Sequence, residues 1–176
     1  SPPRTDPMNL MMLLEMAASG FGDRPALTNG SEVLTYSELF GAAGAAASEI
    51  TASESEYMAV LDVNSLAVPI GLFASAWAGV PFAPLNYRLT GPELDALLAR
   101  VSPAYLVTDT ESAKRLSPSS GTTVVERGHF VERAMAGSSS EASWSLDPEE
   151  IAVLLFTSGT TGAPKAALLR HKHLVS

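Results

Sequence analysis

Apolar and polar positions change period along this chain, and each change marks an element. From Leu10 to Ser19 apolar residues recur three and four apart, which predicts a helix with Leu10, Leu13, Leu14 and Ala17 on one face. Asp6-Pro7 supplies its start, with Asp as N-cap and Pro at the first helical position, and Gly20 and Gly22 its end. Pro25 to Thr28 and Val33 to Thr35 are short apolar runs about Asn29-Gly30, a hairpin signal. Thr35-Tyr36-Ser37-Glu38-Leu39 opens a helix to Ile50, whose alanines and glycines predict close packing. Tyr57 to Val63 reads as a strand, and Asn64-Ser65 caps a helix from Leu66 to Ala78 that Gly79 stops. Val80 to Leu85 is the next strand. Thr90 then begins a helix to Arg100 with Leu94, Leu97, Leu98 and Val101 inward, and Ala104 to Thr108 is a strand ended by Asp109.

After Ser117 the pattern thins. Val124-Val125 gives one short strand, Gly128 to Met135 a helix, and Gly137 to Ser143 an exposed loop. Asp147-Pro148-Glu149-Glu150 turns into the apolar run Ile151 to Phe156. A further strand is expected from Lys165 to Leu169, and a helix from His171. Strands and helices alternating at a spacing of about 20 residues predict an α/β fold, a mostly parallel sheet with flanking crossover helices. Neither internal repeats nor a linker stand out, so one domain over 1–176 is expected.

Composition narrows the function. The chain has 176 residues, net charge −8 and no cysteine. The acidic balance argues against a nucleic-acid partner, whose affinity rests on Lys and Arg contacts to phosphates. Without cysteine, disulfides and thiolate catalysis are excluded and a cytoplasmic location is the default. His129, His171 and His173 show no zinc-site spacing, so no metal site is expected. Ser65 to Tyr87 carries no charge and is long enough to span a bilayer, but Pro69, Gly71, Gly79, Pro81 and Pro84 interrupt it. It reads as a buried helix followed by a buried strand, with no membrane span. Asp62, Asp95 and Asp109 flank elements and read as caps and solvated charges. Asn86 and Tyr87 follow a strand and form either a turn or part of a cleft.

The candidate chemistry lies in Thr157-Ser158-Gly159-Thr160-Thr161-Gly162-Ala163-Pro164-Lys165. Gly159 and Gly162 permit backbone angles at which peptide N–H groups converge on an anion. Thr157, Ser158, Thr160 and Thr161 add hydroxyls, and Lys165 a positive charge suited to a polyphosphate. The spacing differs from a Walker loop, which needs four residues between its glycines and Lys directly after the second. A plain turn between two strands is the alternative.

The same run, with the strand before it and Pro-Lys after it, resembles the phosphate loop of the adenylate-forming superfamily. That group comprises acyl-CoA synthetases, adenylation domains of nonribosomal peptide synthetases and firefly-type luciferases. Leu169-Arg170-His171-Lys172-His173-Leu174 and Ala78 to Thr90 resemble two further family stretches. The resemblance implies the first part of the family's large N-terminal domain, the remainder of that domain and a small C-terminal lid being absent. It implies ATP and Mg2+ as cofactors, and a carboxylic acid, in particular a fatty acid, that is activated as acyl-AMP and passed to coenzyme A. Ser158, Thr160, Thr161 and Lys165 would touch phosphate, with Gly159 and Gly162 as backbone enablers and Thr157 either a contact or the last strand residue. His171 would either support the loop or cap the next helix. A fatty acyl-AMP ligase, an amino-acid adenylation domain and a non-catalytic nucleotide-phosphate-binding module remain as alternatives. Alone, the chain is expected to be inactive and to self-associate. One departure is Ala166, where the family usually has Gly.

Overall fold

The computed structural model describes residues 9–118, 121–137, 143–145, 147–157 and 162–175. In chain order the elements are α1 (Leu10–Phe21), β1 (Pro25–Asn29), β2 (Glu32–Thr35), α2 (Tyr36–Ala52), β3 (Tyr57–Leu61), α3 (Ala67–Ala78), β4 (Phe82–Pro84) and α4 (Gly91–Arg100). There follow β5 (Ala104–Thr108), α5 (Thr110–Ala113), β6 (Thr122–Glu126), α6 (Arg127–Ala136), β7 (Ile151–Thr157), β8 (Lys165–Arg170) and α7 (His171–Leu174).

Local chemistry places most of the ends. Thr35 and Thr90 each form a reciprocal capping box with the glutamate three residues on, Glu38 and Glu93. Such caps contribute about 1 kcal/mol each by satisfying N–H groups that have no helical acceptor. Gly79 ends α3 at φ +75°, a conformation that a Cβ disfavours. β1 and β2 pair antiparallel about Asn29-Gly30, as the hairpin signal predicts.

The large sheet runs β6-β5-β3-β4-β7-β8. All its pairs are parallel except β7 with β8, which is antiparallel. Alternation along the strands divides the core in two. Met58, Val60, Phe82, Tyr105 and Val107 face α2, α3 and α6, meeting Ile50, Ile70 and Phe130. Ala59, Leu61, Ala83 and Leu106 face the opposite side and pack on Leu94, Leu97, Leu98 and Val101. The division follows from crossover handedness. The β3–β4 and β6–β7 connections travel one way across the sheet and the β4–β5 connection the other, so right-handed crossovers put α3 and α6 on one face and α4 on the other. Small residues allow close packing: Ala42, Ala43, Ala46 and Ala47 of α2 are buried, and in α3 a Cβ at Gly71 would lie 2.7 Å from Met58 Cε of β3.

Several expectations need correction. α1 starts at Leu10 with Asn9 as its cap, accepting from Met12 N at 3.0 Å; Asp6 and Pro7 lie outside the described residues. Met11 is buried where Leu13 was expected, because α1 presents Leu10, Met11 and Leu14 to the core and leaves Leu13 exposed. Asp62 is not a solvated charge: its side chain is 1% exposed, with Arg127 Nη1 at 2.6 Å and Val63 N at 2.7 Å. Asp109 does cap α5, and Asp95 accepts from Ser117 N. Ala166 lies in β8, paired with Phe156, where extended backbone suits alanine as well as glycine. The uncharged stretch Ser65 to Tyr87 folds as α3 and β4, and among the described residues no helix is long and apolar enough to cross a membrane.

Candidate functional site

β4 and β7 are parallel neighbours, so their C-terminal ends lie side by side at one edge of the sheet. In open α/β sheets that edge is where ligands bind. A cavity of about 320 Å³ opens there, lined by Asn86, Leu89, Leu97, Phe156, Thr157 and Pro164. Asn86 therefore both lines a cleft and makes a turn: its Oδ1 accepts from Arg88 N at 3.0 Å and its carbonyl from Leu89 N at 3.1 Å. Arg115 holds the same turn by donating to the carbonyls of Tyr87 and Leu89.

The other wall is the β7–β8 hairpin. Thr157 pairs with Lys165, and the Thr157 hydroxyl donates to the Lys165 carbonyl at 3.2 Å, closing the base of the intervening loop. Thr157 is thus the last residue of β7, and its oxygen keeps lone pairs for a further donor. Ser158, Gly159, Thr160 and Thr161 lie outside the described residues. Gly162 has φ +95°, a backbone conformation that glycine adopts without strain. Lys165 is exposed, and among the described residues no carboxylate pairs with it. Arg88 follows the Asn86 turn and Arg100 donates to the Pro164 carbonyl, so both accompany Lys165 in this part of the structure.

His171 works elsewhere. Strand β8 puts about 17 Å between Lys165 and Arg170, at about 3.4 Å per residue. His171 follows at the far end, buried, with Nδ1 accepting from Leu10 N at 3.3 Å. It anchors the start of α1, a contact absent from both roles expected of it. Burial holds its pKa below the ordinary histidine value, against the opposing pull of Glu150 and Asp147. Among the described residues no group of three His, Cys, Asp or Glu gathers to hold a metal ion.

Sequence reading did not connect Arg100, Leu89 and Leu97 with Phe156 and Pro164 on the stems of the loop. Only the strand order brings them together, and no local signal announces it.

A family model described as AMP-binding enzyme matches residues 14–176. The chain belongs to the AMP-binding enzyme family. Its relatives in the adenylate-forming superfamily act in different ways. It is 30% identical over 159 residues to surfactin synthase subunit 3 of Bacillus subtilis, covering 86% of the chain and 12% of that protein. It is 32% identical over 157 residues to feruloyl-CoA synthase of Amycolatopsis, covering 85% of the chain and 30% of the synthase. Among solved structures, VinN superposes with a TM-score of 0.82 at 23% identity, covering 96% of the chain and 45% of VinN. A Mycobacterium tuberculosis fatty acyl CoA synthetase superposes with a TM-score of 0.80 at 21% identity, covering 93% of the chain and 34% of that enzyme. These superpositions show that this AMP-binding chain has the fold of the N-terminal domains of adenylate-forming enzymes. The chain spans less than a third of the two curated relatives and less than half of these two solved structures.

Proposed function

We propose that this AMP-binding chain is the N-terminal, phosphate-holding part of an ATP-dependent acyl-CoA synthetase. A carboxylate oxygen attacks the α-phosphorus of ATP, the bond to pyrophosphate breaks, and acyl-AMP remains. The sulfur of coenzyme A then attacks the acyl carbonyl and AMP leaves. The first step needs positioning and charge stabilisation more than covalent chemistry. Within this reading Ser158, Thr160, Thr161 and Lys165 contact the β- and γ-phosphates, Thr157 closes the base of the loop, and Gly159 and Gly162 let the backbone approach the phosphates. The observation that carries the proposal is an exposed Lys165, with no carboxylate partner among the described residues, beside a cleft at the C-terminal ends of parallel strands, in a chain of this family. No step here is routed through magnesium. The rest of the active site belongs to sequence beyond these 176 residues, and the protein works in the cytosol, in keeping with the lack of cysteine.

The test is ATP–pyrophosphate exchange with a panel of carboxylic acids, on the chain alone and on the full gene product. Exchange is expected only from the latter, and Lys165→Ala should lower its rate by about tenfold or more, in line with loss of a charged contact to the reacting group. An unchanged rate would refute the role given to Lys165. The similarity to a surfactin synthase subunit favours a second reading, an amino-acid adenylation domain. Amino acids driving exchange, with no acyl-CoA formed, would select it.

A further inference from the structure

We propose that Arg100 is a positioning residue for the phosphate loop, gripping both of its stems so that Lys165 is held toward the nucleotide; this rests on the phosphate role proposed above. Arg100 is the last residue of α4, on the face of the sheet opposite α2 and α3. Its guanidinium carbon lies 4.9 Å from the centroid of the Phe156 ring. Its Nη1 donates to the carbonyl of Pro164. Phe156 precedes Thr157, where the loop leaves β7, and Pro164 precedes Lys165, where it joins β8. One planar cation thus touches the loop on its way out and on its way back.

Three features make this more than a surface contact. Both partners of Arg100 are uncharged, and among the described residues no carboxylate pairs with it. A solvated surface arginine gains little from a lone carbonyl, whereas here the carbonyl and the ring fix the fork in two directions. The grip also adds to a stem already closed by the Thr157–Lys165 contact, so the backbone on each side of the loop is held from two directions. Finally, Phe156 and Pro164 line the cleft, so the contact sets the shape of its wall. Misplacing a binding group by a fraction of its reach is costly in rate, which is how a residue without substrate contact enters catalysis.

The test uses the full gene product with Arg100→Ala and Arg100→Lys, each checked for folding by thermal unfolding. Lysyl endopeptidase cuts after lysine, so cleavage at Lys165 relative to exposed Lys114 reports on the stem without reference to activity. In Arg100→Ala the Lys165/Lys114 cleavage ratio should rise several-fold. In ATP–pyrophosphate exchange its KM for ATP should rise by about tenfold with the KM for the acid unchanged, a split that general loss of structure does not produce. Arg100→Lys, which keeps a donor but loses the flat fork, should recover part of that loss. An unchanged cleavage ratio overturns the grip. Faster cleavage with an unchanged KM for ATP overturns the positioning role. Absence of exchange in the unsubstituted protein refutes the acid-activating reading, and the cleavage ratio still decides whether Arg100 holds the stem.

Discussion

Glu49→Ala removes one carboxylate from a contact that ties α2 to β5 and α6. Glu49 accepts from the Tyr105 hydroxyl at 2.7 Å and takes two N–H bonds from Arg133 at 2.9 Å. The two partners lose unequally. The Arg133 side chain is 49% exposed and regains water, so its share is about 0.5–1 kcal/mol. Tyr105 is 3% exposed, and its buried hydroxyl, to which Arg133 can only donate, loses its acceptor at a cost of about 1–3 kcal/mol. Glu49→Ala should therefore destabilise the chain by about 3 kcal/mol. In a Tyr105→Phe background there is no hydroxyl to strand, and the same substitution should cost only about 0.5–1 kcal/mol. Urea unfolding of the four proteins closes the double-mutant cycle, with unchanged m-values as the sign that only stability moved. A coupling energy under about 0.3 kcal/mol would show that the Tyr105 hydroxyl does not depend on Glu49, and the reasoning would fall. The Arg133 hydrogen bond, followed by that of Tyr105, outweighs burial and holds the Glu49 pKa below its ordinary 4.5. A depressed carboxylate stabilises the fold above its unfolded value, so this contribution is lost as the pH drops below 4.5.

His171 gives a second pH window of different origin. Its folded pKa is lowered, so the unfolded chain binds the extra proton and stability falls as the pH drops below 6.5; His171→Gln should flatten the urea midpoint between pH 7 and 5, and an unaltered slope would dismiss the buried acceptor role. Gly79 and Gly41 separate conformation from space, since an added Cβ meets nothing within 4 Å at either. Gly79→Ala, at φ +75°, should destabilise by about 1 kcal/mol, while Gly41→Ala, inside α2, should stabilise by about 0.5–1 kcal/mol. Equal effects of the two in thermal unfolding would contradict the left-handed conformation of Gly79.

The helices that sequence reading placed best carry their own boundary chemistry. Thr35 with Glu38 and Thr90 with Glu93 are reciprocal caps within four residues, so the helix start is encoded where it occurs. At α1 the reading took Asp6-Pro7 as the start, whereas the cap is Asn9, three residues after Asp6 and of the same capping class. For Asp62 the local signal was misleading. A carboxylate at a strand end usually meets water, but here Arg127, 65 residues later, arrives from the neighbouring crossover and excludes it. The site was legible in the same uneven way. The loop's hydroxyls, glycines and Lys165 were read as a phosphate loop through the family resemblance, with a plain turn as the alternative, and Asn86 was read as a cleft or a turn. His171 was linked to the loop or to the next helix through the same resemblance, yet the length of β8 carries it to the other end of the hairpin.

The sequence by itself determined most of the succession of strands and helices, the capping boxes of α2 and α4, and the run Thr157 to Lys165 on which the proposed phosphate role rests. All of these are short-range effects, in which the interacting groups lie within a few residues and chain entropy hardly enters. Tertiary structure alone decided the strand order, which face each helix covers, and the antiparallel return of β8. It brought Arg100 to Pro164 across 64 residues and His171 to Leu10 across 161. Contacts of that range follow from crossover handedness and from burial of two sheet faces at once, and no local run of residues specifies either.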